Sequence, residues 1–390
     1  MTDSIALPVV VLGSGLAGYT VAREFRKLDK DTPLVVVSRD HAGFYSKPML
    51  SNALAGKKTA ATLVMKPAEK MAAELNATVL ANTAVQSVDT ASRTLVLQGG
   101  ETLAYRDLVL ALGADPIRLP LQGDGADAVL SVNDLDDYAR FAAQLEGAAS
   151  VAILGAGLIG CEFANDLLAH GITPTLIDPA DRVLSRLLPP AASAMLQQRL
   201  EAAGVRFRFG VAAQAVNRVA GAQGGLQLRL DDGSVLRADR VLSAIGLRPR
   251  VALAQAAGLV VNRGIVCDRW LATSTTHAYA MGDSAEIEGH TLPYVMPIMH
   301  QARALAATLA GVKTAVTYPA MPVIVKTPAC PTVVCPPPMN AQGEWVVTDT
   351  GGACDARFIG PDGSLLGFAL LGGAIAHKQT LAPQVPALIA

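Results

Sequence analysis

The chain has 390 residues, 51% apolar and 17% charged, with a formal net charge of −1. That length and apolar content predict two or three packed domains and exclude a disordered chain, while the near-zero charge excludes a global field toward nucleic acid or an anionic membrane. No apolar run reaches about 18 residues before a Gly or Pro breaks it, so no transmembrane helix is predicted, and the amino terminus lacks the basic start and cleavage site of a signal peptide.

In chain order, Val9–Leu12 reads as an all-apolar strand that enters the turn Gly13-Ser14-Gly15-Leu16-Ala17-Gly18 and then a helix. In such a G-x-G-x-x-G turn the first glycine permits the tight bend. The second lets backbone approach a pyrophosphate, and the third lets helix and strand pack closely. The diphosphate rests on free N–H groups at the helix N-terminus. The next strand, "LVVV", runs into Ser38, Arg39 and Asp40 rather than a single clean acid. The stretch "GFYSKPMLS" then places Lys47, locked against Pro48, among aromatic and apolar neighbours. A lysine there needs a charge partner or it sheds its proton; the alternative is that it snorkels to the surface. "YRDLVLALGADP" is a strand ending in a small-residue turn, Ala111 to Gly113, where the chain can cross between domains.

A second copy of the opening unit follows. "VAILGAGLIGCEFANDLLAHG" repeats strand, turn (Gly155, Gly157, Leu158, Ile159, Gly160) and helix, with Ala164 at the offset of Ala22. One such motif is a weak signal; two, each between a strand and a helix, predict two dinucleotide sites. The second ends its next strand at Asp178, where a carboxylate accepts both adenosine ribose hydroxyls and repels a 2′-phosphate. NADH is therefore expected over NADPH, with Arg182 a competing influence. Further on, "AYAMGDSAEI" is a strand ending at Gly282-Asp283, a place for a carboxylate to hold a sugar-alcohol hydroxyl such as the ribityl chain of FAD. A helix follows from near Val295. "VIVKTPACP" sets Lys326 in an apolar strand, and the remaining segment reads as a small α+β module.

The cysteines, Cys161, Cys267, Cys330, Cys335 and Cys354, are odd in number and contain no C-x-x-C. Neither a disulfide scaffold nor a zinc or iron–sulfur site is expected, and a reducing cytoplasm fits. The histidines form no ligand spacing, so no metal is assigned.

Over roughly Val9–Gly311 the chain resembles the two-dinucleotide flavoprotein reductases, the glutathione-reductase-like superfamily of pyridine nucleotide-disulfide oxidoreductases. The resemblance rests on both fingerprints, "LALGADP", "LSAIGLRP" and "AYAMGDSAEI". In "YSKPMLS", "GAGLIGCEFANDL", "NRGIVCDRWLATS", "YVMPIMHQARALAATLAG" and "MPVIVKTPACP" it resembles the rubredoxin reductases within that superfamily. It implies an α/β fold with an FAD domain of residues 1–115 and 248–318, an NADH domain of 116–247, and a C-terminal α+β domain of 319–390. For FAD it implies Gly13, Ser14, Gly15, Leu16, Ala17, Gly18, Arg39, Lys47, Pro48, Val85, Ala111, Gly113, Asp283, Val295 and Lys326. For NADH it implies Gly155, Gly157, Leu158, Ile159, Gly160, Glu162, Asp178 and Gly246.

The resemblance implies a C-x4-C pair beside the flavin in disulfide reductases and a single redox cysteine in a segment like Phe44–Met49 in peroxide-type members; here Lys47 occupies that cysteine position, and no cysteine precedes Cys161. Electrons are then expected to leave the flavin directly for a one-electron carrier, rubredoxin, which feeds an oxygenase or oxidase downstream. A ferredoxin or flavorubredoxin reductase is the alternative, and a non-catalytic flavin-binding protein a more distant one. Lys47 and Glu162 are the expected catalytic pair, with flavin N5 as Lys47's other candidate partner; Lys326 is expected near the flavin's pyrimidine end. Docking of an acidic rubredoxin is expected to be weak and steered by Arg23, Arg26, Lys27 and Lys30 on the first helix and by Lys57 and Lys58.

Overall fold

The structure, a computed structural model, describes residues 6–219 and 225–390. Strand β1 (Val9–Leu12) is a buried run of four apolar residues, followed by helix α1 (Leu16–Leu28) and strand β2 (Leu34–Val37). Both strands are buried along their whole length, the pattern of a parallel sheet covered on two faces. β1 pairs in parallel with β2 on one side and with Asp107–Leu110 on the other. Ala278–Ala280 and Thr78–Leu80 complete the five-stranded sheet at its two edges. The strand order therefore reverses at β1, and the turn after β1 opens into the crevice that such a reversal creates.

The second copy repeats this plan. Strand β3 (Ser150–Leu154), helix α2 (Leu158–Ala169) and strand β4 (Thr173–Asp178) follow one another. β3 lies between β4 and Arg240–Ser243 in a second five-stranded parallel sheet, so the order again reverses at the fingerprint strand. Ala114–Pro116 and Leu247–Pro249 pair antiparallel where the chain leaves the first sheet and returns to it.

The last part of the chain forms a separate five-stranded antiparallel sheet, from Val323–Val325 to Leu365–Gly372 in sequence. Pro322, Pro331 and Pro336 stand at its strand ends, where a missing N–H does no harm. Helix α3 (Val295–Leu309) packs along α1 on the first sheet. Among the described residues no helix is long and apolar enough to cross a membrane.

Candidate active site

The two fingerprint turns separate what the chain itself demands from what a ligand demands. Gly13 has φ +115°, and a Cβ there would lie 2.3 Å from the Ala111 carbonyl oxygen. A Cβ on Gly18 would lie 1.8 Å from the Gly13 oxygen. Both glycines are thus required by packing, and the first brings Ala111 against the turn. Gly15 is different, because a Cβ there would meet nothing within 4 Å. The second copy divides in the same way: a Cβ on Gly155 would lie 2.7 Å from the Ala244 oxygen, one on Gly160 2.0 Å from the Gly155 oxygen, and one on Gly157 would meet nothing within 4 Å. Helices α1 and α2 begin at Gly15 and Gly157 with no side-chain cap on their free N–H groups. Open space before a bare backbone, with unpaired donors at the positive end of a helix, is a cradle for a diphosphate. Leu16 and Ala17, and Leu158 and Ile159, form the first turns behind these cradles.

Each turn is braced by an acid from the following strand. Asp178 accepts the Ala156 amide at 2.6 Å and the Ala180 amide at 2.8 Å. In the first copy the bracing acid is Asp40, which sequence reading did not single out. Its carboxylate accepts Ser38 at 2.7 Å, the Ala42 amide at 2.9 Å and Ser14 at 3.2 Å. Burial alone would raise the Asp40 carboxyl, but these hydrogen bonds hold it below the ordinary carboxylate value. The signal was available: Asp40 follows β2 much as Asp178 ends β4. Arg39 points elsewhere. Its exposed guanidinium reaches 3.9 Å from Asp115, a carboxylate already held by Arg250. Arg182 makes its ion pair with the neighbouring Asp181 at 2.7 Å.

The Gly282-Asp283 turn is held against the first turn of α1 by two contacts of Gly282. Gln301 of α3 accepts the Gly282 amide at 2.7 Å and donates to the Tyr318 hydroxyl at 2.8 Å. Gly282 itself sits at φ +71°, with a built Cβ 2.8 Å from that of Ala17. The chain around Val85 flanks the same edge, since the Thr83 amide donates to the Ser38 carbonyl at 2.7 Å. Gly113 (φ +71°) and Gly246 (φ +118°) lie next to the two strands of the crossing. The first turn of α3, at Val295, has no side-chain cap.

The expected Lys47–Glu162 pair is not formed. Lys47 Nζ lies 3.8 Å from Asp283 Oδ2, whereas Glu162 Oε2 is 2.7 Å from Lys326 Nζ. Glu162 also accepts the Ser51 hydroxyl at 2.6 Å and the Lys326 amide at 3.0 Å. Lys326 Nζ donates further to Ser51 at 2.7 Å and to the Pro48 carbonyl. Helix geometry gives the reason. Residues Lys47–Asn52 form a 3₁₀ turn. With three residues per turn, Lys47 and Ser51 leave its axis about 120° apart, so the face that carries Ser51 to Glu162 turns Lys47 toward Asp283. Burial pulls the Lys47 ammonium below its ordinary value, against the pull of Asp283. Glu162 is buried, and its charge is compensated by Lys326 from the C-terminal sheet.

The five cysteines are free and buried. Burial pushes the Cys335 and Cys354 thiols up to about 11 and the Cys267 thiol to about 12, which keeps them protonated and unreactive. Among the described residues no His, Cys, Asp or Glu cluster has the makings of a metal site.

The family model for pyridine nucleotide-disulphide oxidoreductases matches residues 7–308, and a model of a rubredoxin binding C-terminal domain matches residues 315–385. A rubredoxin-NAD(+) reductase of Alcanivorax borkumensis is 50% identical over 382 residues, which is 98% of this chain and 99% of that one. The protein of the same description in Acinetobacter baylyi is 46% identical over 389 residues, 98% of each. Among solved structures, a ferredoxin reductase from Rhodopseudomonas palustris superposes with a TM-score of 0.87 at 27% identity, over 98% of this chain and 96% of that one.

Proposed function

The chain belongs to the pyridine nucleotide-disulphide oxidoreductase family, and from that membership we propose that it passes electrons from NADH, through one bound FAD, to rubredoxin. The observation that carries this reading is the pairing of a two-fingerprint body with a rubredoxin-binding module at its carboxyl end. Two full-length relatives at 46% and 50% identity, both rubredoxin-NAD(+) reductases, support it. Residues 1–115 with 248–318 would hold FAD, 116–247 would hold NADH, and 319–390 would face the acceptor, a division supported by the three separate five-stranded sheets among the described residues.

Bound FAD supplies the exchange of two electrons on one side for single electrons on the other; the chain binds, orients and sets charge. The bare first turns of α1 and α2 hold the two diphosphates through backbone N–H groups. Asp283 is the acceptor for a ribityl hydroxyl, and Asp178 for the ribose hydroxyls of NADH. Lys47 supplies an ammonium on the flavin side, and its partial burial limits screening by water. Glu162 places a carboxylate, ion-paired with Lys326, beside the second fingerprint. No cysteine lies between Met1 and Gly160 to intervene, so electrons leave without a thiol relay. We place the protein in the cytoplasm, consistent with five free thiols, and place a rubredoxin-dependent oxygenase or oxidase downstream.

The test is NADH-driven reduction of purified rubredoxin and of a [2Fe–2S] ferredoxin in parallel. Rubredoxin is expected to be reduced at least about tenfold faster, a margin of 1.4 kcal/mol. Protein that stays colourless after reconstitution with FAD, or that prefers the ferredoxin, overturns the reading. NADH is expected to exceed NADPH in kcat/KM; equal use of the two would mean that Arg182, not Asp178, governs the ribose site.

A further inference from the structure

Helix α2 carries more polar chemistry than nucleotide binding requires. Glu162, Asn165 and Asp166 stand at i, i+3 and i+4, on one face of the helix, and all three bond to other parts of the chain. Glu162 holds Ser51 and Lys326. Asn165 accepts the Ala329 amide at 3.2 Å. Asp166, 2% exposed, accepts the Leu54 amide at 3.0 Å and the Ala55 amide at 2.7 Å. Those two amides close the turn that follows Lys47–Asn52, the segment offered to the flavin. The far end of the same turn is held by the Tyr138 hydroxyl, which donates to the Lys58 carbonyl at 2.8 Å.

We propose that Asp166 is a positioning residue for reduction by NADH: it fixes the Lys47–Ala55 segment to the helix whose first turn receives the nicotinamide nucleotide. The inference rests on the function proposed above. One rigid helix then carries the NADH diphosphate at its start and grips the flavin-side segment one to two turns later. The separation between the two reacting rings follows from that grip rather than from either site alone. A carboxylate is the side chain for this task because its two oxygens accept two adjacent amides at once. Burial raises the Asp166 carboxyl above its ordinary value, so this charge costs stability rather than supplying it. The Ala55 and Leu54 amides, then Lys326 and His170 just past the end of α2, offset part of that cost, and Tyr138 faces it from the helix Leu135–Gln144.

The experiment compares wild type with Asp166→Asn and Asp166→Ala. Asparagine matches the size, is neutral and keeps one acceptor, so that variant is expected to fold and retain FAD. Amide hydrogen exchange is expected to rise across residues 47–58 in both variants, with no NADH present, and to stay unchanged around Gly13–Gly18. In anaerobic mixing, the limiting rate of flavin reduction by NADH is expected to fall on the order of ten- to a hundredfold, with the NADH dissociation constant held within about twofold; alanine is expected to cost more than asparagine. Exchange unchanged at 47–58 overturns the proposal, because the grip is then absent. Raised exchange with an unaltered limiting rate also overturns it, because the contact is then only structural. Failure of the wild type itself to be reduced by NADH overturns the function instead, and is read separately.

Discussion

Charge placement around Lys47 and Glu162 makes distinct predictions for two lysines that the sequence presents alike. Glu162→Gln combined with Lys326→Met is expected to be non-additive in the reductive half-reaction and in stability, with a coupling of about 0.5–3 kcal/mol, as for side chains in contact. Glu162→Gln combined with Lys47→Met is expected to be additive within about 0.3–0.5 kcal/mol, since Lys47 makes its ion pair with Asp283. The reverse result would restore the pairing expected from sequence. Lys47 also has a pH signature. Burial, the largest influence on it, lowers its value in the folded protein below 10.5. The ammonium is therefore lost on the alkaline side earlier than from an exposed lysine, and the rate of flavin reduction is expected to fall as pH rises through that lowered value. Stability moves the other way, because the unfolded chain binds the proton more tightly in that window and folding gains as pH rises through it. In Lys47→Met both dependences are expected to vanish; an unchanged alkaline limb would assign it to another group. Which lysine meets Glu162 was not legible in the sequence. Ser51 and Lys326 lie 111 and 164 positions from Glu162, and a third of a turn within Lys47–Asn52 sets Lys47 aside.

At the scale of elements, the strand–turn–helix units were legible because their demands are local. A turn that must place Gly18 against the Gly13 oxygen, or Gly160 against the Gly155 oxygen, writes itself into six consecutive residues. The same geometry predicts two classes of glycine variant. Gly18→Ala sets a methyl 1.8 Å from a backbone oxygen and is expected to destabilise the fold by about 1–3 kcal/mol or more, as overpacking does, measured as a lowered melting temperature. Gly157→Ala meets nothing within 4 Å. It is expected to leave the melting temperature of the FAD-loaded protein unchanged while weakening NADH at least about tenfold, or 1.4 kcal/mol, in a binding titration. A Gly157→Ala protein that binds NADH normally would mean that the open space before α2 is not the diphosphate cradle. Less was legible where an element serves several others. The Glu162-Asn165-Asp166 face of α2 carries no sequence signal of its role, because its three sets of partners belong to segments whose proximity only the assembled fold creates. Asp40 lay between these cases, visible beside β2 but masked by the more conspicuous Arg39.

For the whole molecule, the open matter is how a small acidic carrier finds the flavin edge. The basic run of α1 suggested steering, but most of that charge is engaged at home. Arg23 pairs with Glu74 at 3.2 Å, Lys27 with Glu24 at 2.6 Å, and Arg26 binds the Leu75 and Asn76 carbonyls that end the neighbouring helix. Arg23 and Lys27 contribute little to the far field, because each carries its counter-charge with it. Lys57 and Lys58 are placed otherwise. Both are exposed, and they close the turn that begins at Lys47–Asn52, so they border the flavin-side segment itself. Met49 in the Lys47–Asn52 turn, Met296 in the first turn of α3 and Ile324 in the C-terminal sheet are 43%, 47% and 57% exposed, apolar side chains suited to a small, short-lived contact. Second-order reduction of rubredoxin is therefore expected to fall severalfold from low salt to about 0.15 M, where the Debye length shortens to about 8 Å. Lys57→Glu with Lys58→Glu is expected to lower the low-salt rate and flatten its salt dependence, since rim charges act mainly on association. Arg23→Glu with Lys27→Glu is expected to change neither by more than about twofold, because charges paired at the surface are screened and compensated. A rate that responds to the α1 reversal but not to Lys57 and Lys58 would move the docking surface to the opposite flank. A rate flat in salt and indifferent to both reversals would leave Met49, Met296 and Ile324 as the contact that holds the carrier in place.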